Sequence, residues 1–346
     1  MPSLVQQYRQ WSRFLTAKRL VNMVLLYLSY HASRWLKRPL VWGLPSSIAI
    51  EPTTSCNLRC PECPSGLRSF TRPIGMLQPT YFSQMLQQVA PHVGYLTFYF
   101  QGEPYLNPNF LDMVAEADRL NVFTSTSTNA HYLTSTIAKR TIESGLQRLI
   151  ISIDGTTQET YQQYRVGGTL SKVIEGTKQI LHWRKELKSQ TPEVIFQFLV
   201  VKPNEHQIEE VAMLAAELGV DDIWYKTAQV YDYEGGNELI PTIEKYSRYR
   251  RQANGRWTIK NKLLNQCWRM WQSCVITWDG AVVPCCFDKD ASYKLGHIGS
   301  ADAGKRPFKD IWFSQPYQDF RQNLLIGRSQ IDICKNCTEG TTVWVD

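Results

Sequence analysis

The sequence predicts an α/β fold: a six-stranded, partial (β/α)6 TIM-like barrel followed by a small C-terminal domain built around cysteines. Three observations carry that expectation. Between residues 47 and 230, short runs rich in β-branched and aromatic residues alternate with helical-period segments, the pattern of βα units whose right-handed crossovers curl a parallel sheet. Nine cysteines gather in two groups, one just after the first of those strands and one beyond residue 266. Hydrophobic residues make up 43% of the 346 and charged residues 20%, which fits a packed chain with room for a large domain and a smaller one.

The chain opens on a basic arm, residues 1–46. Residues 1–50 contain no Asp or Glu and carry Arg9, Arg13, Lys18, Arg19, Arg34, Lys37 and Arg38. The other 31 basic residues are matched by 31 acidic ones. The basic balance belongs to the arm, and a neutral body without a basic–aromatic surface pattern speaks against a nucleic-acid partner. Residues 4–42 read as helical. The apolar run from Leu20 to Tyr30 is eleven residues, short of the roughly twenty that span a bilayer. Arg34, Lys37 and Arg38 follow it closely with no small-residue cleavage site, unlike a signal peptide. Two readings stay open for the arm: packing on the protein's own surface, or peripheral contact with an anionic membrane through Trp11, Phe14, Tyr27, Tyr30 and Trp35.

From residue 47 the elements follow in order. Strands are expected at Ser47–Glu51, Tyr95–Gln101, Val122–Thr126, Arg148–Ile153, Glu193–Val201 and Asp222–Thr227. Helices are expected near Thr80–Val89, Asn109–Leu120, Ser135–Ser144, Ser171–Lys188 and Glu205–Leu218. The domain so formed runs over 47–230, with its site at the C-terminal ends of the strands. Residues 231–266, polar and rich in Tyr, Arg and Asn, read as a connector, and residues 267–346 as the second domain.

The loop after the first strand reads Cys56-Asn57-Leu58-Arg59-Cys60-Pro61-Glu62-Cys63. Three close thiolates suit an iron–sulfur cluster, and three protein ligands leave one iron open for another molecule. Zinc is the competing reading, but no fourth ligand stands at finger-like spacing; the nearest downstream histidine is His92 and the next cysteine Cys267. An odd cysteine count argues against a full disulfide framework, and metal thiolates imply a reducing, cytoplasmic compartment.

This loop resembles that of the radical S-adenosylmethionine (radical SAM) superfamily, over roughly residues 47–230. The resemblance implies a 4Fe-4S cluster held by Cys56, Cys60 and Cys63, with S-adenosylmethionine chelating the open iron. Further stretches match at the same rim. Gln101-Gly102-Glu103-Pro104 is similar to a Gly-Gly-Glu-Pro motif that holds the methionine amino group, with Gln101 as a departure. Ser127-Thr128-Asn129-Ala130 is similar to a Thr-Asn-Gly motif. In relatives the residues matching Ser152, Asp154 and Arg165 approach the ribose and the methionine carboxylate, and Asp accepting from hydroxyls with Arg pairing a carboxylate is sensible chemistry. Gly-Glu-Pro or Asp-Gly alone suits a turn; their shared place at strand ends makes them a set. Many relatives carry an aromatic residue before the third cysteine, where this chain has Glu62, so adenine stacking is left unassigned.

Beyond the connector come Cys267, Cys274, Cys285, Cys286, Cys334 and Cys337. Residues 275–284 read as a β-hairpin with Asp279-Gly280 at its turn. With Leu295-Gly296-His297-Ile298, Ile311-Trp312 and the closing Cys334/Cys337 pair, this region resembles the SPASM/twitch domain. The resemblance implies one auxiliary 4Fe-4S cluster on Cys267, Cys285, Cys334 and Cys337. Cys274 and Cys286 remain, too few for another such cluster. Cys286 could take the place of Cys285, since neighbours on a strand point to opposite sides; family position favours Cys285. Zinc also suits four thiolates.

The resemblance implies an enzyme that reductively cleaves S-adenosylmethionine, fed by an electron donor such as flavodoxin or ferredoxin. The resulting 5′-deoxyadenosyl radical abstracts hydrogen from substrate. A fully ligated auxiliary cluster then suits electron transfer in a net oxidation or maturation. The substrate stays open among small molecules, lipids and peptides. One alternative is a peptide-modifying maturase working with a separate recognition protein; another is a non-enzymatic metal-binding module. Gln197, Lys226 and Gln229 are candidate barrel-lining groups, each equally suited to a structural hydrogen bond.

Overall fold

The computed structural model describes residues 12–260, 262–299 and 307–337. The arm supplies α1 (Ala17–Leu36). The central region runs β1 (Ser47–Ile50), α2 (Pro64–Leu67), α3 (Pro79–Val89), β2 (Tyr95–Thr97), α4 (Phe110–Arg119) and β3 (Phe123–Thr128). It continues through α5 (Ser135–Glu143), β4 (Arg148–Ser152), α6 (Gln158–Tyr164), α7 (Leu170–Glu186), β5 (Glu193–Val200), α8 (Ile208–Leu218) and β6 (Asp222–Thr227). The remainder holds β7 (Tyr249–Arg251), β8 (Trp257–Ile259), α9 (Arg269–Gln272), β9 (Ser273–Ile276), β10 (Ala281–Val283) and β11 (Gly296–His297), then α10 (Phe308–Trp312), α11 (Gln315–Gly327) and α12 (Asp332–Lys335).

The chain divides into two compact units. One gathers the described residues within Met1–Thr54, Thr71–Ser125 and Leu263–Gly340; the other gathers those within Ser55–Phe70 and Thr126–Lys262. The boundary falls inside β3.

In the first unit the strand order is β11-β10-β9-β1-β2-β3. β1 pairs in parallel with β2, Ser47 opposite Tyr95, and on its other side with β9, Ile48 opposite Cys274. The C-terminal hairpin β9–β10 is antiparallel and turns at Asp279-Gly280, as expected, with Gly280 at φ +99°. It extends the sheet at β1 directly. Two tryptophans fasten the C-terminal segments to the chain after α1: Trp271 Nε1 donates to Leu40 O at 2.8 Å and Trp312 Nε1 to Gly43 O at 2.9 Å. At the end of β1, the buried carboxylate of Glu51 takes both guanidinium nitrogens of Arg72, at 2.8 and 2.5 Å, and accepts from Trp278 N at 3.3 Å. That fixes the strand end from which the cysteine loop departs.

The second unit carries the end of β3 and then β4, β5 and β6 in that order. β4 and β5 pair in parallel, Ile151 opposite Phe196, and β5 pairs β6 in the same sense. Leu149, Ile151, Val194 and Phe196 are wholly buried, as expected of strands covered by helices on a parallel sheet.

The mostly parallel α/β sheet expected from the alternation is present. Several boundaries move. β2 stops at Thr97 rather than Gln101, although Phe98 N still donates to Ser125 O at 2.7 Å. The arm's helix ends at Leu36 rather than residue 42 because Lys37 adopts a left-handed conformation (φ 53°) and Pro39 follows shortly. The part of the expected arm helix before residue 12 lies outside the described residues. The connector is not structureless: β7 and β8 form a hairpin, Tyr249 opposite Ile259, with Gly255 at φ +82° in its turn.

Candidate functional site

The cysteine loop lies in the second unit and is built from its own backbone inward. Cys60 is buried, and Cys56 and Cys63 are half-buried. Leu58 and Cys60 pack into an apolar cluster with Tyr164, Val201, Val230 and Tyr249. Cys63 N donates to Cys60 O at 3.3 Å, and Leu67 N donates to Cys63 O at 2.8 Å, so α2 starts on the third cysteine. Gly66 is required here. A Cβ added to it would stand 2.5 Å from Cys60 N and 2.6 Å from Cys60 O. Arg59 N donates to Val166 O at 2.9 Å and Arg68 Nη2 to Cys56 O at 2.6 Å, tying both flanks of the loop.

Donors converge on the sulfurs. Leu58 N lies 3.4 Å from Cys56 Sγ, Asn129 Nδ2 3.9 Å from the same atom, and Arg165 Nη1 3.9 Å from Cys60 Sγ. Burial pushes the Cys60 thiol up and the charge of Arg165 pulls it back. Thiolate sulfurs receiving N–H donors and a cation are what an anionic iron–sulfur centre requires, so the donor set fits such a group. Among the described residues, no three His, Cys, Asp or Glu side chains already stand as a ready single-ion site.

Asn129 is positioned by the turn after β3. Its Nδ2 donates to Asn57 Oδ1 at 2.8 Å, and its Oδ1 accepts from His131 N at 3.1 Å. Ala130 holds φ +62°, the left-handed region that glycine favours. His131, which no sequence motif singles out, braces this turn. Its Nε2 accepts from Thr169 N at 2.8 Å, so its Nδ1 carries the proton donated to Asn129 O, also at 2.8 Å. Burial lowers its pKa, in keeping with a neutral ring.

Arg165 and Asp154 form a buried ion pair through Arg165 Nε and Asp154 Oδ2, with Asp154 wholly buried. The other oxygen, Asp154 Oδ1, accepts from Leu199 N at 2.7 Å. Asp154, expected near the ribose, thus has a partner within the chain on each of its two oxygens. Its carboxylate is spent on Arg165 and a strand amide, because a buried charge demands a partner. Burial alone would lower the Arg165 pKa; Asp154 and Cys60 outweigh it and hold the guanidinium well above its ordinary value. Ser152 Oγ stands 3.4 Å from Ser127 Oγ, at the rim where both strands end. Glu62 accepts from Tyr231 N at 3.0 Å, a loop contact rather than an aromatic platform. Lys226 sits with its ammonium 5.5 Å over the Trp224 ring, while Gln197 and Gln229 are half-buried.

Gly102 and Glu103 lie in the first unit, just after β2. Gly102 takes φ +75°, and Glu103, buried, accepts from Tyr105 N at 3.3 Å ahead of Pro104.

The C-terminal cysteines also lie in the first unit. Cys267, Cys334 and Cys337 are buried, and Cys337 N donates to Cys334 O at 3.1 Å, closing the knuckle. Arg328, wholly buried, organises them. Its Nη1 donates to Gln266 O at 2.7 Å, and its Nη2 lies 3.4 Å from Cys337 Sγ. Burial would lower its pKa, but Cys267, Cys337 and Cys334 raise it. Cys285 stands within electrostatic range of Cys286, Cys267 and Cys337. Cys274 faces elsewhere: buried on β9 with Tyr317 and Arg321, its thiol is pushed up to about 12. Arg321 in turn spans the rings of Trp312 and Tyr317, at 4.3 and 4.2 Å, and donates to Trp312 O. Sequence reasoning missed Arg328 and Arg321, since charged residues are seldom fully buried.

Comparison with known proteins places this geometry. The Radical SAM superfamily model matches residues 50–215, and that of the SPASM iron-sulfur cluster-binding domain matches residues 267–338. A tungsten-containing aldehyde ferredoxin oxidoreductase cofactor-modifying protein of Pyrococcus furiosus is 27% identical over 79% of this chain and 82% of its own. PqqA peptide cyclase of Streptomyces rochei is 24% identical over 79% of this chain and 76% of its own. In fold, the crystal structure of Streptococcus suis SuiB bound to precursor peptide SuiA matches with a TM-score of 0.60 at 14% identity, covering 90% of this chain and 74% of that one. The cofactors are accordingly a 4Fe-4S cluster with S-adenosylmethionine and auxiliary iron–sulfur. With one cysteine loop beside a helix-end arginine and a second buried set of cysteines around another, the chain is an enzyme of the radical S-adenosylmethionine superfamily carrying a C-terminal SPASM domain.

Proposed function

We propose that this enzyme carries out a net two-electron oxidation or maturation of its substrate, with its chemistry in residues 47–230 and one auxiliary cluster in residues 267–346. Cys56, Cys60 and Cys63 would hold the first cluster and Cys267, Cys285, Cys334 and Cys337 the auxiliary one. When bound, the first cluster and S-adenosylmethionine together supply the 5′-deoxyadenosyl radical that takes hydrogen from substrate.

The observation that carries the reading is the Arg165–Asp154 pair beside Cys60. Asp154 fixes the guanidinium through Nε, and Arg165 Nη1 reaches toward Cys60 Sγ. A guanidinium so held suits the carboxylate of a methionine moiety. Asn129 braces the loop through Asn57, and Ser152 stands at the rim as a hydroxyl partner. Gly102, Glu103 and Pro104 supply a positive-φ turn and a carboxylate suited to an amino group. At the second site Arg328 offers a buried cation to the thiolates, which suits an electron relay rather than substrate ligation. A flavodoxin or ferredoxin is the fitting donor, and the cytoplasm the fitting compartment. The names of the Pyrococcus and Streptomyces relatives support a maturation reaction, the second with a peptide as substrate.

The test is anaerobic reconstitution followed by iron and sulfide analysis and by 5′-deoxyadenosine release under dithionite. About eight irons and slow nucleoside release are expected. In the triple variant Cys56→Ala/Cys60→Ala/Cys63→Ala, release stops and about four irons stay. Zinc without cleavage would overturn the reading.

A further inference from the structure

Helix α1 is amphipathic in the inverted sense. Its inward face is polar: Arg19, Asn22, Ser29 and Ser33 are buried along with Leu26 and Tyr30. Its outward face is apolar. Leu20, Val24, Leu28 and Trp35 recur at helical spacing on one stripe and are exposed, Val24 by 57% and Trp35 by 84%. Val21, Met23 and Tyr27 widen it.

The inward contacts explain why the helix cannot simply roll over. Arg19 Nη2 donates to Ala90 O at 2.7 Å and Leu120 O at 3.3 Å, and Nη1 to Phe14 O and Asn121 O. Ala90 and Leu120 cap the C-terminal ends of α3 and α4, whose last carbonyls need donors. Asn22 accepts from Leu44 N at 2.8 Å and donates to Leu44 O at 2.7 Å. Ser33 makes the same double contact with Leu40, at 2.8 and 2.9 Å. Rotating α1 to bury its leucines would orphan every one of these groups.

The exposed stripe continues into a groove of about 490 Å³ between α1 and Trp42–Leu44, lined by Val21, Leu25, Trp42 and Phe313 and carrying Lys18 and Lys309. By helical spacing Lys18 and Arg34 flank the stripe on opposite sides, and Lys37 and Arg38 stand exposed at its end. Residues 1–50 hold no acidic group. Among the described residues no helix is long and apolar enough to cross a membrane.

We propose that this face docks on an anionic lipid bilayer. α1 would lie in the interfacial plane, with Leu20, Val24, Leu28 and Trp35 inserted, Lys18, Arg34, Lys37, Arg38 and Lys309 among the headgroups, and Trp42 at the interface. An apolar stripe bordered by cations, with aromatic residues at its edge, is what an interfacial helix presents to anionic lipid. The proposal rests on residues apart from both cysteine sites, so it stands or falls independently of the radical chemistry.

The experiment is co-sedimentation of the full, reconstituted chain with vesicles of phosphatidylcholine alone or mixed with phosphatidylglycerol. Binding to the mixed vesicles is expected to exceed that to phosphatidylcholine by at least about tenfold, and to weaken with salt. Val24→Ser with Leu28→Ser should abolish pelleting, and Arg34→Gln with Lys37→Gln should reduce it about tenfold. Met213→Ser, at a 64% exposed position on α8, should leave it unchanged. Iron content and nucleoside release in solution should be those of the parent in all three. Absence of pelleting, equal binding to neutral vesicles, or pelleting that survives Val24→Ser/Leu28→Ser would each overturn the proposal. So would a concentration-dependent dimer that this double substitution dissolves, since the face would then belong to a second copy.

Discussion

The two cysteine sites use the same pair of ingredients, thiols and a buried arginine, in opposite ways. The first draws three cysteines from one eight-residue loop and leaves Cys56 and Cys63 half-buried. The second draws on separated stretches of chain, buries Cys267, Cys334 and Cys337, and surrounds Arg328 with them. Arg165 is clamped by a carboxylate, while Arg328 is anchored by backbone oxygens, Gln266 O foremost. An arginine paired to Asp154 contributes little net charge but a fixed direction, which suits orienting an incoming carboxylate. An arginine set among thiols on carbonyl anchors contributes its charge, which suits tuning a closed redox centre. Under the proposed function, the first site would be built to admit a ligand and the second to exclude one.

The contrast breaks first at the clamp. Replacing Arg165→Met leaves the Asp154 carboxylate buried without its partner, and a loss of about 3–5 kcal/mol in unfolding free energy is expected. Urea unfolding of the apoprotein measures it. Asp154→Asn combined with Arg165→Met should recover part of the loss, since a neutral amide tolerates burial better. If Arg165→Met is as stable as the parent, the pair does not clamp the site.

At the second site the effect is redox rather than stability. Arg328→Gln keeps a donor and removes a charge. The auxiliary cluster should become harder to reduce by on the order of 100 mV, the size of one charge at several ångströms in a partly screened interior. Electron paramagnetic resonance during a potentiometric titration reads both centres, and the first should not move. Equal shifts in both would deny that Arg328 belongs to one site.

A smaller effect comes from the packing under the first loop. Gly66→Ala puts a methyl within 2.6 Å of the Cys60 backbone, and overpacking of this kind costs about 1–3 kcal/mol. Iron retained at the first site after desalting should fall while the auxiliary content holds. The matched control is Gly235→Ala, where an added Cβ meets nothing within 4 Å.

How far the sequence discloses these differences depends on the kind of signal. β1 to β6 were legible because period-two and helical-period stretches alternate regularly, and the cysteine loop because its spacing is rare. The β7–β8 hairpin escaped for want of length: three residues a side give no period, although Asn254-Gly255 at its turn was a usable sign. Helix α11 carried a signal too, with Tyr317, Phe320, Leu324 and Leu325 at helical spacing behind Pro316. What no pattern shows is pairing. Asp154 and Arg165 were visible as motif members, but burial, which turns the carboxylate toward Arg165, is a property of the folded interior. Arg328 lies in a stretch that reads as an exposed helix end until the thiols around it are seen. The inverted polarity of α1 is of the same kind, since three of the carbonyls that Arg19 satisfies, those of Ala90, Leu120 and Asn121, stand at the ends of two other helices.

The least effect, and the most specific to the first site, concerns His131. Thr169 N donates to Nε2, so protonating that nitrogen breaks the contact that braces the Asn129 turn. Burial lowers the pKa in the folded chain below its ordinary value of 6.5. The unfolded chain therefore takes up its proton first as the pH falls. Stability contributed by the neutral ring is fully present above 6.5 and is lost as the pH drops through that value toward the folded pKa, at up to about 1.4 kcal/mol per pH unit. His131→Gln, which cannot titrate, should flatten this part of the profile while leaving the rest of the curve in place. Thermal melts of apoprotein between neutral and mildly acid pH make the comparison; parallel profiles for the two proteins would show that the Asn129 turn does not depend on the ring's protonation.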